Sequence, residues 1–393
     1  MKSLLQTPVG KLVIAAVLLL ALGTAVGLVA LWPDGRQQVD LIPGQNAEPQ
    51  AADVVGSETV RCRSPQATDC RELTIELTEG SQRGSRSALT VGDFGPAPEL
   101  GEGAKVRVVK NRVPPGADAA VIDPYALVEV DRRMPMLWLV LAFGALVVVF
   151  GRARGALALV GLSASLLIVV KFVVPALVEA ESPVAVATVG SLAVMLLTIV
   201  LAHGVGPKSV AAILGTAASL AATILLAVTF TKLAYLTGFS SEEANLLQAN
   251  DADLSLEGLV LAGMVIGALG VLDDVTVSQA STVMALRRAD PTQHAGDLYR
   301  GALAVGRDHV AATVNTLVLA YVGASLPILL VFGVGGTQFV DAISREAIAE
   351  QLVAMLVGSI GLILAVPVTT WLAAVLAARL PPGELDASGG HVH

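Results

Sequence analysis

Charge is scarce in this sequence. Asp, Glu, Lys and Arg make up 15% of its 393 residues, where soluble chains carry about a quarter. Aromatic residues are 4% of the total, and there are only two cysteines, Cys62 and Cys70. No Walker A loop, dinucleotide-binding glycine fingerprint or H-E-x-x-H pair occurs. Nucleotide hydrolysis within the chain, dinucleotide chemistry and zincin-type proteolysis therefore lack their residues. The net charge of −8 has no basic cluster to offset it, which argues against nucleic acid as a partner. Two thiols with no histidine nearby fall short of the four ligands of a closed zinc site. No metal and no cofactor is expected.

What is abundant is apolar: 54% of the residues are hydrophobic and the mean hydropathy is +0.72. A hydrocarbon core of about 30 Å takes about 20 apolar helical residues to cross. The segments 12–31, 136–150, 157–177, 184–202, 210–230, 256–272, 310–332 and 348–378 are such stretches, the second short and the last long. None alternates as an outer-membrane barrel strand does. The fold class expected is an α-helical polytopic membrane protein with about eight transmembrane helices, and the bilayer is its first partner.

Lys and Arg in short loops mark the cytoplasmic side. Lys2 and Lys11 precede the first segment. Counting from there, Arg152, Arg154, Lys208, Arg287, Arg288, Arg300, Arg307 and Arg379 fall inside. Only Lys171, Lys232 and Arg345 fall outside, beside Glu179, Glu181, Glu242, Glu243, Asp251 and Asp253. Both termini are then cytoplasmic. The first segment is longer than a signal-peptide core and has no clear A-x-A site after it, so it reads as an uncleaved anchor.

Residues 34–133 break the membrane pattern. A linker at 43–45 is followed by runs of period two at 72–77, 104–109 and 127–130, with turn residues at 79–80, 101–103 and 114–116. A small all-β extracytoplasmic domain, a barrel or sandwich of OB-like type, is expected between the first two helices. Both cysteines lie in it, and an oxidising compartment favours a Cys62–Cys70 disulfide that pins the entry to the first clear strand. The organisation is thus an anchor (1–33), the β domain (34–133), a seven-helix transmembrane domain (134–380) and a cytoplasmic tail (381–393).

The sixth apolar segment is unlike the others. Gly263, Gly267, Gly270, Asp274, Ser278 and Ser281 follow one another at three- and four-residue spacing, a single helical face of small and polar residues. Glycines so spaced admit a neighbouring helix. Asp274 is expected between helices, with Asp273 about 100° round the axis. Ionisable groups at membrane depth are costly and mark proton or ion pathways. Asp273, Asp274, Thr276, Ser278, Gln279 and Ser281 are therefore relay candidates. Asn315 and Thr316 in the seventh segment join them, with Asn315 expected to bond Asp274. The plainer alternative is that the aspartates cap a helix or meet cytoplasmic water, with Arg287, Arg288 or Arg307 as charge partners. Asp308 and His309 lie in the same basic turn.

These blocks carry a resemblance. The chain resembles the YibE/F family of bacterial multi-spanning membrane proteins at 267–281 (G-A-L-G-V-L-D-D-V-T-V-S-Q-A-S) and 306–323 (G-R-D-H-V-A-A-T-V-N-T-L-V-L-A-Y-V-G). That resemblance implies a plasma-membrane protein and carries over no settled activity. At the level of pattern the chain is also similar to the SecD/SecF branch of proton-driven export proteins, which implies proton handling at Asp273 or Asp274 with Asn315 as partner.

A secondary transporter or export component, energised by protons or cations and moving an unknown ion or solute, is the function these residues favour. The alternative is a non-transporting scaffold or assembly protein whose outer domain binds a protein partner. An intramembrane enzyme is not expected. No serine pairs with a buried histidine, and adjacent aspartates on one helix cannot converge as a protease dyad does.

Overall fold

Alternation with period two builds the polar segment into five strands: β1 (Gln50–Val60), β2 (Cys70–Leu77), β3 (Arg86–Val91), β4 (Lys105–Lys110) and β5 (Tyr125–Val130). The structure, a computed structural model, describes residues 7–35, 49–64, 67, 69–93, 98–111, 123–179, 181–250, 254–336 and 338–381. Lys2, the linker at 43–45, the turn at 114–116, Asp251, Asp253 and the tail from 382 lie outside these residues. The chain forms two compact units, Asp40–Leu146 and Met1–Val39 with Val147–His393.

In the β unit the order is β3-β2-β1-β4-β5, antiparallel throughout. This antiparallel half-barrel is the small all-β domain expected. Ala52, Val54, Leu73, Ile75, Leu77, Val106 and Val108 face its core. The runs at 72–77, 104–109 and 127–130 fall in β2, β4 and β5. Strand β1 escapes the pattern because a register shift between Val54 and Gly56 adds an unpaired residue and reverses the alternation. Cys62 and Cys70 form the expected disulfide at the start of β2.

The edges β3 and β5 are joined by side chains. Asp123, just before β5, accepts hydrogen bonds from the Thr90 N–H of β3 (2.9 Å) and from Arg63 Nη2 (2.8 Å). Burial pushes the Asp123 carboxyl up, but the bonds from Arg63 and Thr90 outweigh it and hold the group below its ordinary value. A carboxylate with a depressed folded pKa stabilises fully above the unfolded value of about 3.9, and that contribution fades as pH falls through the folded value. Asp123→Ala should cost about 1–3 kcal/mol and speed hydrogen exchange at the Thr90 amide. Unchanged protection of β3 in the variant would show that the seam is held by something else.

The remaining chain is helical: α1 (Pro8–Ala30), α2 (Arg133–Ile168), a π-helical turn (Val169–Val173) leading into α3 (Val174–Val178), then α4 (Pro183–His203), α5 (Pro207–Leu233) and α6 (Glu242–Asn250). Next come α7 (Leu256–Ala289), α8 (Ala295–Ala324), α9 (Leu326–Val334), α10 (Phe339–Ile343) and α11 (Glu346–Ala377). Among the described residues, six helices are long and apolar enough to cross a membrane, or seven if the bent pair α8–α9 is one span. The segment expected at 310–332 is not one straight helix. It bends by 59° at Ser325, where Pro327 supplies no backbone N–H.

The segments at 136–150 and 157–177 appear as one run of 46 residues, Arg133–Val178. Fully helical, it would reach about 69 Å, more than twice a hydrocarbon core. It is broken at Arg152, whose φ of 52° and ψ of −136° are not helical. A Cβ on Gly155 would lie 2.2 Å from the Val147 carbonyl oxygen, although eight helical residues should span about 12 Å. The chain turns sharply there.

Lipid tails are as apolar as leucine, so membrane helices associate through close packing and not through burial from water. Helices α5, α7 and α11 meet on that basis. A Cβ on Gly215 would fall 2.0 Å from Thr369 Oγ1, and one on Gly361 would fall 2.1 Å from Thr223 Oγ1. The contacts also give directions. Thr198 and Pro183 of α4 lie beside Asp273 and Gly258 of α7, so these helices run parallel. Thr370 of α11 bonds Gln279 of α7, and Gly358 approaches Ala268, which is again parallel. Helix α8 runs the other way, with Gly301 at Leu286 and Gly267 at Tyr321. At the start of α11, the Glu346 carboxylate accepts bonds from the Thr237 backbone N–H and hydroxyl and from the Gly238 N–H, which ties the loop after α5 to α11.

Candidate functional site

Asp273 and Asp274 are separated by the phase of α7. The buried arc of this helix holds Leu261, Val265, Leu272, Val275, Thr276, Gln279 and Val283. Gly263, Gly267, Gly270 and Asp274 are exposed, and Ser278 and Ser281 are half-buried. The expectation that Asp274 is the aspartate between helices is therefore corrected. Glycines offer a neighbour little surface, so the large residues on the opposite arc face α5 and α11 and set the rotation. Asp273 borders that arc, on the side where α4 packs.

Three helices meet there around a cavity of about 340 Å³. The second half of α2 contributes Ala158, Gly161, Leu162, Ser165 and Leu166. Helix α4 contributes Gly190, Ser191, Val194, Thr198 and Ala202, and α7 contributes Ile266, Leu269, Gly270 and Asp273. Each set repeats at three- and four-residue spacing, one face of a helix. Thr198 Oγ1 lies 3.0 Å from Asp273 Oδ2 and 2.9 Å from the Val194 carbonyl oxygen. A hydroxyl has one proton, so it donates to one of these at a time. Asp273 Oδ1 and Ser191 Oγ are buried without a hydrogen-bond partner among the described residues. Among the described residues, no basic side chain lines the cavity. It is a half-open apolar recess with one carboxylate whose charge no described neighbour offsets.

The other candidates are dispersed. The Thr276 hydroxyl meets that of Thr216 at 2.6 Å, and Gln279 Oε1 accepts from Thr370 Oγ1 at 3.0 Å, so both serve the α5–α7–α11 core. Ser281 spends its proton on the Val277 carbonyl and Thr316 on that of Ala312, local bonds that hydroxyls in helices commonly make. Asn315 and Thr316 are exposed on α8, and no bond joins Asn315 to Asp274 among the described residues. That expectation is not met, although α8 does reach this face of α7, where Tyr321 approaches Gly267. Arg287 donates to the Pro291 and Gln293 carbonyls beyond the end of α7 and so closes that helix end instead of serving an aspartate. Arg288, Arg307 and Asp308 are exposed and His309 is half-buried.

Thr198 and Ser191 went unnoticed in the sequence, although Gly190, Val194, Thr198 and Ala202 stand at four-residue intervals in α4. That spacing is the same signal that singled out α7.

Residues 139–379, which include the whole cavity, match the family model described as YibE/F-like protein. The chain belongs to the YibE/F-like family. No curated protein and no solved structure matches it. Within this family member, Asp273 and Asp274 both stand inside the matched region, so membership alone does not choose between them; the packing of α4 against α7 does.

Proposed function

We propose that this YibE/F-like protein is a secondary transporter or export component of a bacterial plasma membrane, energised by protons or cations, with no enzymatic activity. The observation that carries this is the uncompensated carboxylate of Asp273 in the α2–α4–α7 cavity. A buried charge without a counter-ion is costly, and taking up a proton or a cation removes that cost.

Thr198 makes both states workable. With Asp273 ionised, the threonine hydroxyl donates to the carboxylate. With Asp273 protonated, the carboxyl donates to Thr198 Oγ1, and Thr198 turns its own proton to the Val194 carbonyl. The Thr198–Asp273 hydrogen bond persists in each state with its direction reversed, so the change of charge needs no helix movement. The test is proton movement by Asp273→Asn protein in sealed vesicles.

We assign about eight crossings, with both termini cytoplasmic and the β domain outside. The break at Arg152 divides the long α2 run into two crossings, and α8–α9 is one bent crossing. The parallel course of α4, α7 and α11 and the reverse course of α8 support this count. Reporter fusions should place Arg154 and Ala289 inside, with Ala51 and Arg345 outside. A reporter at Arg345 that reads as cytoplasmic would sink the assignment.

A further inference from the structure

The cavity carries polar groups toward both ends. Thr198 holds one oxygen of Asp273, while Ser191 stands seven residues earlier on the same helix, about 10 Å away along the axis. Ser191 is 1% exposed, and its hydroxyl, like Asp273 Oδ1, has no partner among the described residues. The third hydroxyl on the wall, that of Ser165, is already committed to the Gly161 carbonyl at 2.8 Å. Between the two ends the wall is apolar, and exposed Leu162 and Leu166 stand at its edge.

Building on the transport reading, we propose that this cavity binds an amphipathic amine: a primary or secondary ammonium head, a short apolar body and a hydrogen-bonding group at the far end. Asp273 Oδ1 can only accept, and an ammonium offers both the N–H it lacks and the charge that offsets the carboxylate. Ser191 accepts from, or donates to, the distal group. Apolar walls with a few fixed polar groups and a volume of this size are usual for small-molecule sites. When Asp273 is protonated, arrival of the ammonium displaces one proton, so one cation enters for each H⁺ released and net charge is conserved. A carboxyl that holds either a proton or an organic cation is the minimum that exchange of the two requires.

The test is calorimetric titration of the full-length protein in detergent with 6-amino-1-hexanol, hexylamine and 1,6-hexanediol. The amino alcohol should bind best, hexylamine several-fold more weakly, and the uncharged diol about tenfold or more weakly. Asp273→Asn should erase the advantage of the amino alcohol over the diol. Ser191→Ala should erase its advantage over hexylamine and leave the charge preference intact. Equal binding of diol and amino alcohol by the natural protein overturns the proposal, and that comparison needs no variant to fold. A preference for the amine that survives Asp273→Asn overturns it as well. Binding is read without flux, so the two proposals fail separately. Absence of amine binding beside Asp273-dependent proton movement ends the amine class alone, whereas amine binding without such movement ends the proton reading alone.

Discussion

Asp273→Asn should reduce proton movement by reconstituted protein to the level of empty vesicles, as followed with an interior pH dye under an imposed gradient, while Asp274→Asn keeps most of it. Asparagine preserves the shape of the carboxylate and can still accept from Thr198, so folding and yield should change little. What it removes is titration. The two aspartates are neighbours of the same chemical type, and the structure separates them by environment: Asp273 meets Thr198 inside the cavity, while Asp274 lies on the exposed face of α7. Infrared pH-difference spectra give an independent reading. A carboxyl band lost in Asp273→Asn and retained in Asp274→Asn would identify the group directly. Full proton movement by the Asp273→Asn/Asp274→Asn double variant would remove both aspartates from the relay, whereas no movement above empty vesicles by the natural protein would favour the scaffold reading, in which the outer domain binds a partner and the aspartates only orient helices.

The second large effect is expected in the packed core. Gly361→Ala places a methyl 2.1 Å from Thr223 Oγ1 but 3.4 Å from Thr223 Cβ. The clash is with one oxygen, so it should destabilise the helical unit by about 1–3 kcal/mol, and Thr223→Ala should restore most of the loss. Gly215→Ala differs. Its methyl would stand 2.0 Å from Thr369 Oγ1, 2.8 Å from Thr369 Cβ and 3.1 Å from Thr369 Cα. Removing the hydroxyl leaves the Cβ and backbone contacts in place, so Thr369→Ala should rescue Gly215→Ala poorly. Thermal melts of the four single and two double variants in detergent measure both couplings. Equal rescue at the two positions would mean that α5 and α11 are less closely apposed than the structure has them.

Element type was legible because it depends on local pattern. Long apolar runs announce membrane helices, period-two alternation announced β2, β4 and β5, and two cysteines in a polar segment announced their disulfide. Strand β1 was hidden by its own irregularity at Val54–Gly56, which breaks the periodicity that a sequence pattern relies on. The joint at Arg152 falls in the basic loop expected between two apolar segments, whereas the bend at Ser325 was obscured, since apolar composition continues on both sides of it.

The sequence by itself determined that α7 carries a small and polar stripe with two aspartates, because residue spacing on a helix follows from 3.6 residues per turn. It could not determine which way the stripe faces. Rotation about the helix axis is decided by the neighbours. Helices α5 and α11 take the arc of Leu272, Val275 and Thr276, and this turns the glycine face outward and leaves Asp273 on the flank against α4. Nor could spacing alone reveal that Thr198, seventy-five residues earlier, would stand within hydrogen-bond reach of that aspartate. The carboxylate is a property of the sequence; the apolar recess around it and the hydroxyl of Thr198 beside it exist only once α2, α4 and α7 have packed together.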